Sequence, residues 1–115
     1  LGADSMWRSL EAGRIVALDR VNTIADGLAA SSPGTLTFAM ARRFVDEIVR
    51  VKEAELLRAI RLMFELEHVL TEPAGAAGIA GLLRMPQRSP GERVVVIVSG
   101  ANVSGEVLAQ ALKSP

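Results

Sequence analysis

The sequence predicts an α/β chain forming part of an open, mainly parallel sheet with helical crossovers. Three observations predict it: an unbroken β-branched run at Val94 to Val98, apolar positions at helical spacing between Glu53 and Leu70, and strand-like and helix-like stretches that alternate without an internal repeat. With 115 residues, 50% of them hydrophobic, the chain has the length of one domain, residues 1–115, and the composition for a real core.

The elements follow in order. Ser5 to Gly13 reads as a short helix with Met6, Trp7 and Leu10 on one side, a serine N-cap and Gly13 just past its end. Arg14 to Leu18 is compact and apolar and reads as a strand. Asp19 to Gly34 carries Asn22, Asp26, Gly27, Ser31, Ser32 and Pro33, turn chemistry that makes it mostly loop or very short helix. Thr35 opens a helix that runs through Phe44 and Val45 and gives way to a strand at Ile48 to Val51. Glu53 to Leu70 is the clearest helix, with Leu56, Leu57, Ile60, Met63 and Phe64 on an apolar face and Arg61 and Glu65 four apart on a solvated one. Thr71-Glu72-Pro73 then opens a helical stretch from Ala74 to Leu83 in which Gly75, Gly78 and Gly81 recur every third residue. Each glycine costs roughly 1 kcal/mol of helix propensity, so a backbone packed hard against a sheet or a ligand is expected there. Met85 to Gly91 reads as a connecting loop, Val94 to Val98 as a strand covered on both faces, and Val103 to Leu112 as the last helix.

Composition excludes several classes of function. Thirteen basic residues balance thirteen acidic ones, and only Lys52 and Lys113 are lysines, so the clustered charge that neutralises phosphates or a membrane surface is missing. Aromatic residues make up only 3%, which leaves no stacking platform for bases. The chain has no cysteine, hence no disulfide and no thiolate site, and no apolar run of transmembrane length; a reducing cytoplasm is the expected location.

In open α/β sheets ligands bind beyond the carboxyl ends of strands, and the Val94 to Val98 run leads straight into Ser99-Gly100-Ala101-Asn102. Ser99 is the best-placed polar residue, and Gly100 allows close backbone approach; from position alone Ser99 reads as a cap or turn ahead of a ligand contact. Gly100 and Gly105 lack the lysine and hydroxyl residue of a phosphate loop, since Glu106 and Val107 follow, and no dinucleotide fingerprint is present. Glu72 stands just before Pro73, where a carboxylate either caps the helix or faces a ligand. His68, the one histidine, reads as a favourable charge in the last turn of its helix, and Lys52 as a solvated lysine. No spacing of carboxylates with histidine supports a metal site.

Six segments, Gly2 to Met6, Ser9 to Gly13, Thr23 to Leu28, Val45 to Val51, Glu72 to Ala76 and Val94 to Asn102, carry a specific resemblance. In order and spacing, from Leu1 to Ala111, they resemble the end of the catalytic module of pyridoxal-phosphate-dependent threonine/serine dehydratases and the related serine racemases. The resemblance implies the large domain of the tryptophan-synthase-β-like fold, with pyridoxal phosphate as cofactor. It assigns Ser99 to the pyridine nitrogen, Gly100 to the same contact segment and Glu72 to the same pocket, and it makes Thr23 to Gly27 a loop that shapes that domain. Ala101 stands where the family has a second glycine. Some members bind a divalent cation near the position of Ala3; here Ser5 replaces the aspartate and the glutamate would precede residue 1, so no metal is expected.

The Ser-x-Lys motif of the family, its asparagine-containing substrate loop and its glycine-rich phosphate loop have no counterpart in these residues. No catalytic residue is therefore expected in the chain, which reads as the last third of the module. Its expected partners are the missing N-terminal segment or a second copy of itself, and the implied substrate is a small hydroxy amino acid that the parent enzyme converts to a keto acid and ammonia. Two other readings share the same residues: a non-catalytic assembly or binding protein derived from the fold, and a fragment of a racemase.

Overall fold

A computed structural model of the chain describes residues 1–85 and 91–114. Helices α1 (Ser5–Ala12), α2 (Thr35–Phe44), α3 (Glu53–Glu67), α4 (Pro73–Arg84) and α5 (Gly105–Lys113) are joined by extended segments and a 3-10 turn at Asp26–Leu28. They fall into two compact units, Leu1–Arg50 and Val51–Pro115.

In the first unit α1 packs on α2. The buried side chains of α1 are Ser5 and Ser9, one turn apart, in place of the expected apolar stripe. Their hydroxyls are satisfied: Ser5 Oγ donates to Ala30 O at 3.0 Å, and Ser9 Oγ donates to Ser5 O at 2.7 Å while accepting from Val16 N at 2.9 Å. The N-cap is Asp4, not Ser5, and Gly13 closes the helix at φ 64 as expected. Phe38 and Ala41 are the buried face of α2.

In the second unit α3 packs on both α4 and α5. Leu56, Ala59 and Ile60 of α3, at i, i+3 and i+4, meet a core of alanines: Ala76 and Ala80 from α4 and Ala111 from α5. Such short side chains let helix backbones approach closely, which offsets the small area each one buries. Glu55 Oε2 accepts from the N–H of Lys52, the N-cap of α3, at 2.5 Å. The helix ends at Glu67, earlier than the predicted Leu70, because His68 turns to φ 55 and Val69 N donates back to Met63 O at 3.1 Å. Ser104 caps α5, its Oγ accepting from Val107 N at 3.2 Å.

The predicted sheet is not formed. No described residue lies in a strand or bridge, which overturns the α/β class and the sheet-containing, tryptophan-synthase-β-like architecture that the resemblance implies. The physical reason is that a β-strand exists only as part of a ladder, and among the described residues no predicted strand pairs with another. In the 14–18 run, Val16 N is bonded to the Ser9 hydroxyl and Leu18 N to Ser31 O at 2.8 Å, single contacts to non-strand groups. Ile48 to Val51 carries no ladder either. The 94–98 run has no regular structure and is covered on one face at most: Val95 is 90% exposed and Ile97 80%. The predicted loop from Met85 to Gly91 falls largely on residues 86–90, outside the described residues.

Candidate functional site

The α4 N-terminus and the 99–102 loop form one constellation. Pro73, at the first helical position of α4, needs no N–H partner and starts the helix at a fixed φ. Glu72 is the N-cap by position, yet its carboxylate does not cap: Oε2 accepts from Asn102 N at 3.1 Å, across thirty residues of chain. The Glu72 main-chain N–H donates to Gly100 O, also at 3.1 Å. One residue thus ties the loop down at two points. Gly100 adopts φ 79, a turn that favours glycine, and a Cβ built there would lie 2.4 Å from Glu72 Oε1 and displace the carboxylate.

Behind the loop lies α4. A Cβ at Gly75 would lie 1.9 Å from Ser99 O, and one at Gly78 would lie 2.8 Å from Val96 Cγ1. Two of the three periodic glycines therefore have the close approach the sequence predicts, made to the irregular 96–99 segment. Gly81 meets nothing within 4 Å, and nothing in the structure explains it. Thr71, fully buried, sets its Oγ1 3.2 Å from both Gly100 O and Glu72 O.

Ser99, Gly100 and Glu72, the three predicted cofactor contacts, are thus brought together. Ser99 and Gly100 are exposed and Glu72 half-buried, so the loop presents a hydroxyl on open surface with its backbone clamped behind. Neither lysine joins them through a hydrogen bond or ion pair: Lys52 heads α3 and Lys113 ends α5. His68 serves as the left-handed terminus of α3. Sequence reasoning missed Thr71 and the Asn102 amide. A threonine before Glu-Pro reads as turn chemistry, and a main-chain amide carries no signature at all.

The donor set fits one edge of a pyridine ring. A neutral hydroxyl suits a ring nitrogen, and the missing Cβ of Gly100 makes room for the Glu72 carboxylate behind the loop. The loop offers no cationic side chain for a phosphate group.

The first unit holds other chemistry. Asp4 pairs with Arg8 at 2.9 Å and with Arg50 at 3.2 Å, and the Arg50 guanidinium lies 3.6 Å from the Trp7 ring centroid. Burial pushes the Asp4 carboxyl up, but the bonds from Arg50 and Arg8 together outweigh it and hold it below its ordinary value of 3.8. Ser5 gives its hydroxyl to Ala30 O, and no cluster of three or more potential metal ligands occurs among the described residues. A hollow of about 440 Å³, lined by Trp7, Arg42, Asp46 and Glu47 among others, contains none of the predicted site residues. Thr23 Oγ1 accepts from Ala25 N at 3.1 Å, and Ala25 is buried, so the Thr23 to Gly27 segment is a hydroxyl-stabilised turn.

Residues 1–100 match the family described as pyridoxal-phosphate dependent enzyme. The chain belongs to this family. Within it, the chain is 39% identical over 99 residues to an L-threonine ammonia-lyase of Thermotoga maritima, covering 86% of this chain and 24% of that protein. To a serine racemase of Arabidopsis thaliana it is 37% identical over 118 residues, covering 98% and 35%. Its backbone follows that of a maize serine racemase with a TM-score of 0.84 and 37% identity, over 96% of this chain and 36% of the other. The chain thus spans between a quarter and about a third of these relatives. Among pyridoxal-phosphate dependent enzymes it groups with the dehydratases and racemases of hydroxy amino acids. No helix among the described residues is long and apolar enough to cross a membrane.

Proposed function

We propose that this chain supplies the pyridine-facing edge of a pyridoxal phosphate site in a hydroxy-amino-acid ammonia-lyase. The observation that carries the proposal is the exposed Ser99 hydroxyl on a loop whose backbone Glu72 clamps at Gly100 and Asn102. Bound pyridoxal phosphate supplies the electron sink for breaking bonds at the Cα of an amino acid. Ser99 would hold the ring nitrogen through a neutral hydroxyl and would bring no charge to it, whereas a carboxylate at that position would draw a proton onto the nitrogen. Gly100 makes the turn that carries Ser99, and Glu72, with its carboxylate accepting from Asn102 N, keeps the loop in place.

The covalent lysine and the phosphate-binding loop are proposed to come from polypeptide outside these residues, because Lys52 and Lys113 are held on other elements and the chain spans only part of its relatives. The exposed Val95 and Ile97 support the same reading, since an extended apolar run of this kind calls for cover by further polypeptide or a second copy.

Equilibrium dialysis of pyridoxal phosphate against the purified protein tests the site, followed by borohydride reduction and intact mass measurement. Binding that is lost in Ser99→Ala, with no adduct on residues 1–115, is the expected result. Binding indifferent to Ser99→Ala, or a reduced adduct on Lys52, would refute the assignment.

A further inference from the structure

We propose that Thr71 is a positioning residue that sets the orientation of Ser99 by pinning the carbonyl of Gly100; this rests on the reading of Ser99 as the cofactor contact. Thr71 itself faces no open surface: it is 0% exposed. Its hydroxyl has one proton and two carbonyls at 3.2 Å, those of Glu72 and Gly100. The Glu72 carbonyl already receives the α4 helix bond from Ala76 N at 2.9 Å. The Gly100 carbonyl receives Glu72 N at 3.1 Å, so each carbonyl has one backbone donor and one lone pair open to the hydroxyl, and the proton is assigned to Gly100, the carbonyl that belongs to the loop.

The geometry makes this bond consequential for Ser99. The peptide between Ser99 and Gly100 is trapped between two surfaces. On one side the Ser99 carbonyl lies against Gly75, so closely that a Cβ there would come within 1.9 Å of it and 2.6 Å of Thr71 Oγ1. On the other, Gly100 turns at φ 79 over the Glu72 carboxylate. A planar peptide held at both ends leaves the Ser99 side chain only its own rotamers to choose from. Loss of the Thr71 hydroxyl takes a donor from the Gly100 carbonyl and loosens the Gly100–Ala101 peptide, and with it the turn at Gly100 that fixes the backbone under Ser99. Thr71 therefore acts on the cofactor through Ser99, with no contact of its own.

The test is a double-mutant cycle with Thr71→Val, which keeps the shape and removes the hydroxyl, and Ser99→Ala, read by the dissociation constant of pyridoxal phosphate for the full-length protein. Thr71→Val is expected to weaken binding about three- to tenfold, the range of one net hydrogen bond, and Thr71→Ser to restore it. In the Ser99→Ala background the same change is expected to have less than half that effect on a logarithmic scale, a coupling that a merely structural role would not produce. Amide exchange at Gly100 to Asn102 provides a readout independent of the cofactor, and it should quicken in Thr71→Val and not in Thr71→Ser. Equal effects of Thr71→Val in both backgrounds, or unchanged exchange, would overturn the positioning role while leaving Ser99 as a contact. A protein whose affinity is untouched by Ser99→Ala, or that takes up no pyridoxal phosphate, would overturn the Ser99 reading and the Thr71 role with it.

Discussion

Gly75→Ala and Gly81→Ala make the same chemical change on the same helix and should move stability in opposite directions. At Gly75 the added methyl would sit 1.9 Å from Ser99 O and 2.6 Å from Thr71 Oγ1. Ordinary contact starts near 3.4 Å, so a main-chain carbonyl must retreat by about 1.5 Å. That carbonyl cannot retreat alone, because the next peptide is held by Glu72 N and the Thr71 hydroxyl. Overpacking of this kind costs about 1–3 kcal/mol, and the alanine's better helix propensity returns at most about 1 kcal/mol. The net expectation is a loss of about 1–2 kcal/mol, or a fall in Tm of about 5–15 °C. Gly81 has nothing within 4 Å of its Cβ position, so Gly81→Ala should keep the propensity gain and raise stability by about 0.5–1 kcal/mol. Thermal unfolding followed by far-ultraviolet circular dichroism, with urea melts as a check on cooperativity, measures both. Two variants that shift together, or a Gly75→Ala protein as stable as the parent, would refute the reasoning that α4 is pressed against the 99–102 loop.

Three further expectations concern other parts of the chain. The Lys52 N–H donated to Glu55 holds that carboxyl below its usual 4.5, with the Arg84 charge adding to this and burial opposing it. Its stabilisation is thus complete above about pH 4.5 and lost as pH falls through the lower folded value; Glu55→Gln should cost about 0.5–1 kcal/mol at neutral pH and flatten the acid limb of a stability-against-pH curve. Arg50→Ala removes the guanidinium 3.6 Å from the only tryptophan, so the emission of Trp7 should change, with a loss of about 0.5–1 kcal/mol; identical spectra would speak against the stack. Replacing the exposed Val95 and Ile97 together by lysine should abolish any concentration-dependent association seen by sedimentation velocity while leaving α3, α4 and α5 folded; association that persists would place the sticky surface elsewhere.

Much of the helical skeleton was legible before any coordinates. Glu53 and Pro73 mark the starts of α3 and α4, Gly13 the end of α1, and the Leu56, Ile60 spacing the buried face of α3, because these signals are local and depend on backbone sterics and a 3.6-residue period. The errors have one origin. Arg14 to Leu18, Ile48 to Val51 and Val94 to Val98 have strand composition, but composition expresses only a preference for extended backbone, and whether that backbone joins a ladder depends on a partner that composition does not contain. Burial of Ser5 and Ser9 in place of an apolar stripe was hidden for a similar reason: each is satisfied by a main-chain group outside its own helix, Ala30 O for one and Val16 N for the other.

The candidate site divides along the same line. Sequence by itself determined the residue types: a serine and a glycine after an apolar run, a glutamate before a proline, and periodic glycines that had to meet something. Only the tertiary structure decided what they meet. It turned the Glu72 carboxylate away from its own helix to Asn102, set Gly75 under the Ser99 carbonyl and brought the hidden Thr71 hydroxyl to Gly100. The two hydrogen bonds among these contacts span 30 and 29 residues of chain, and a hydrogen bond reaches only about 3 Å. A one-dimensional pattern states which groups must find partners, and the path of the backbone in space selects them.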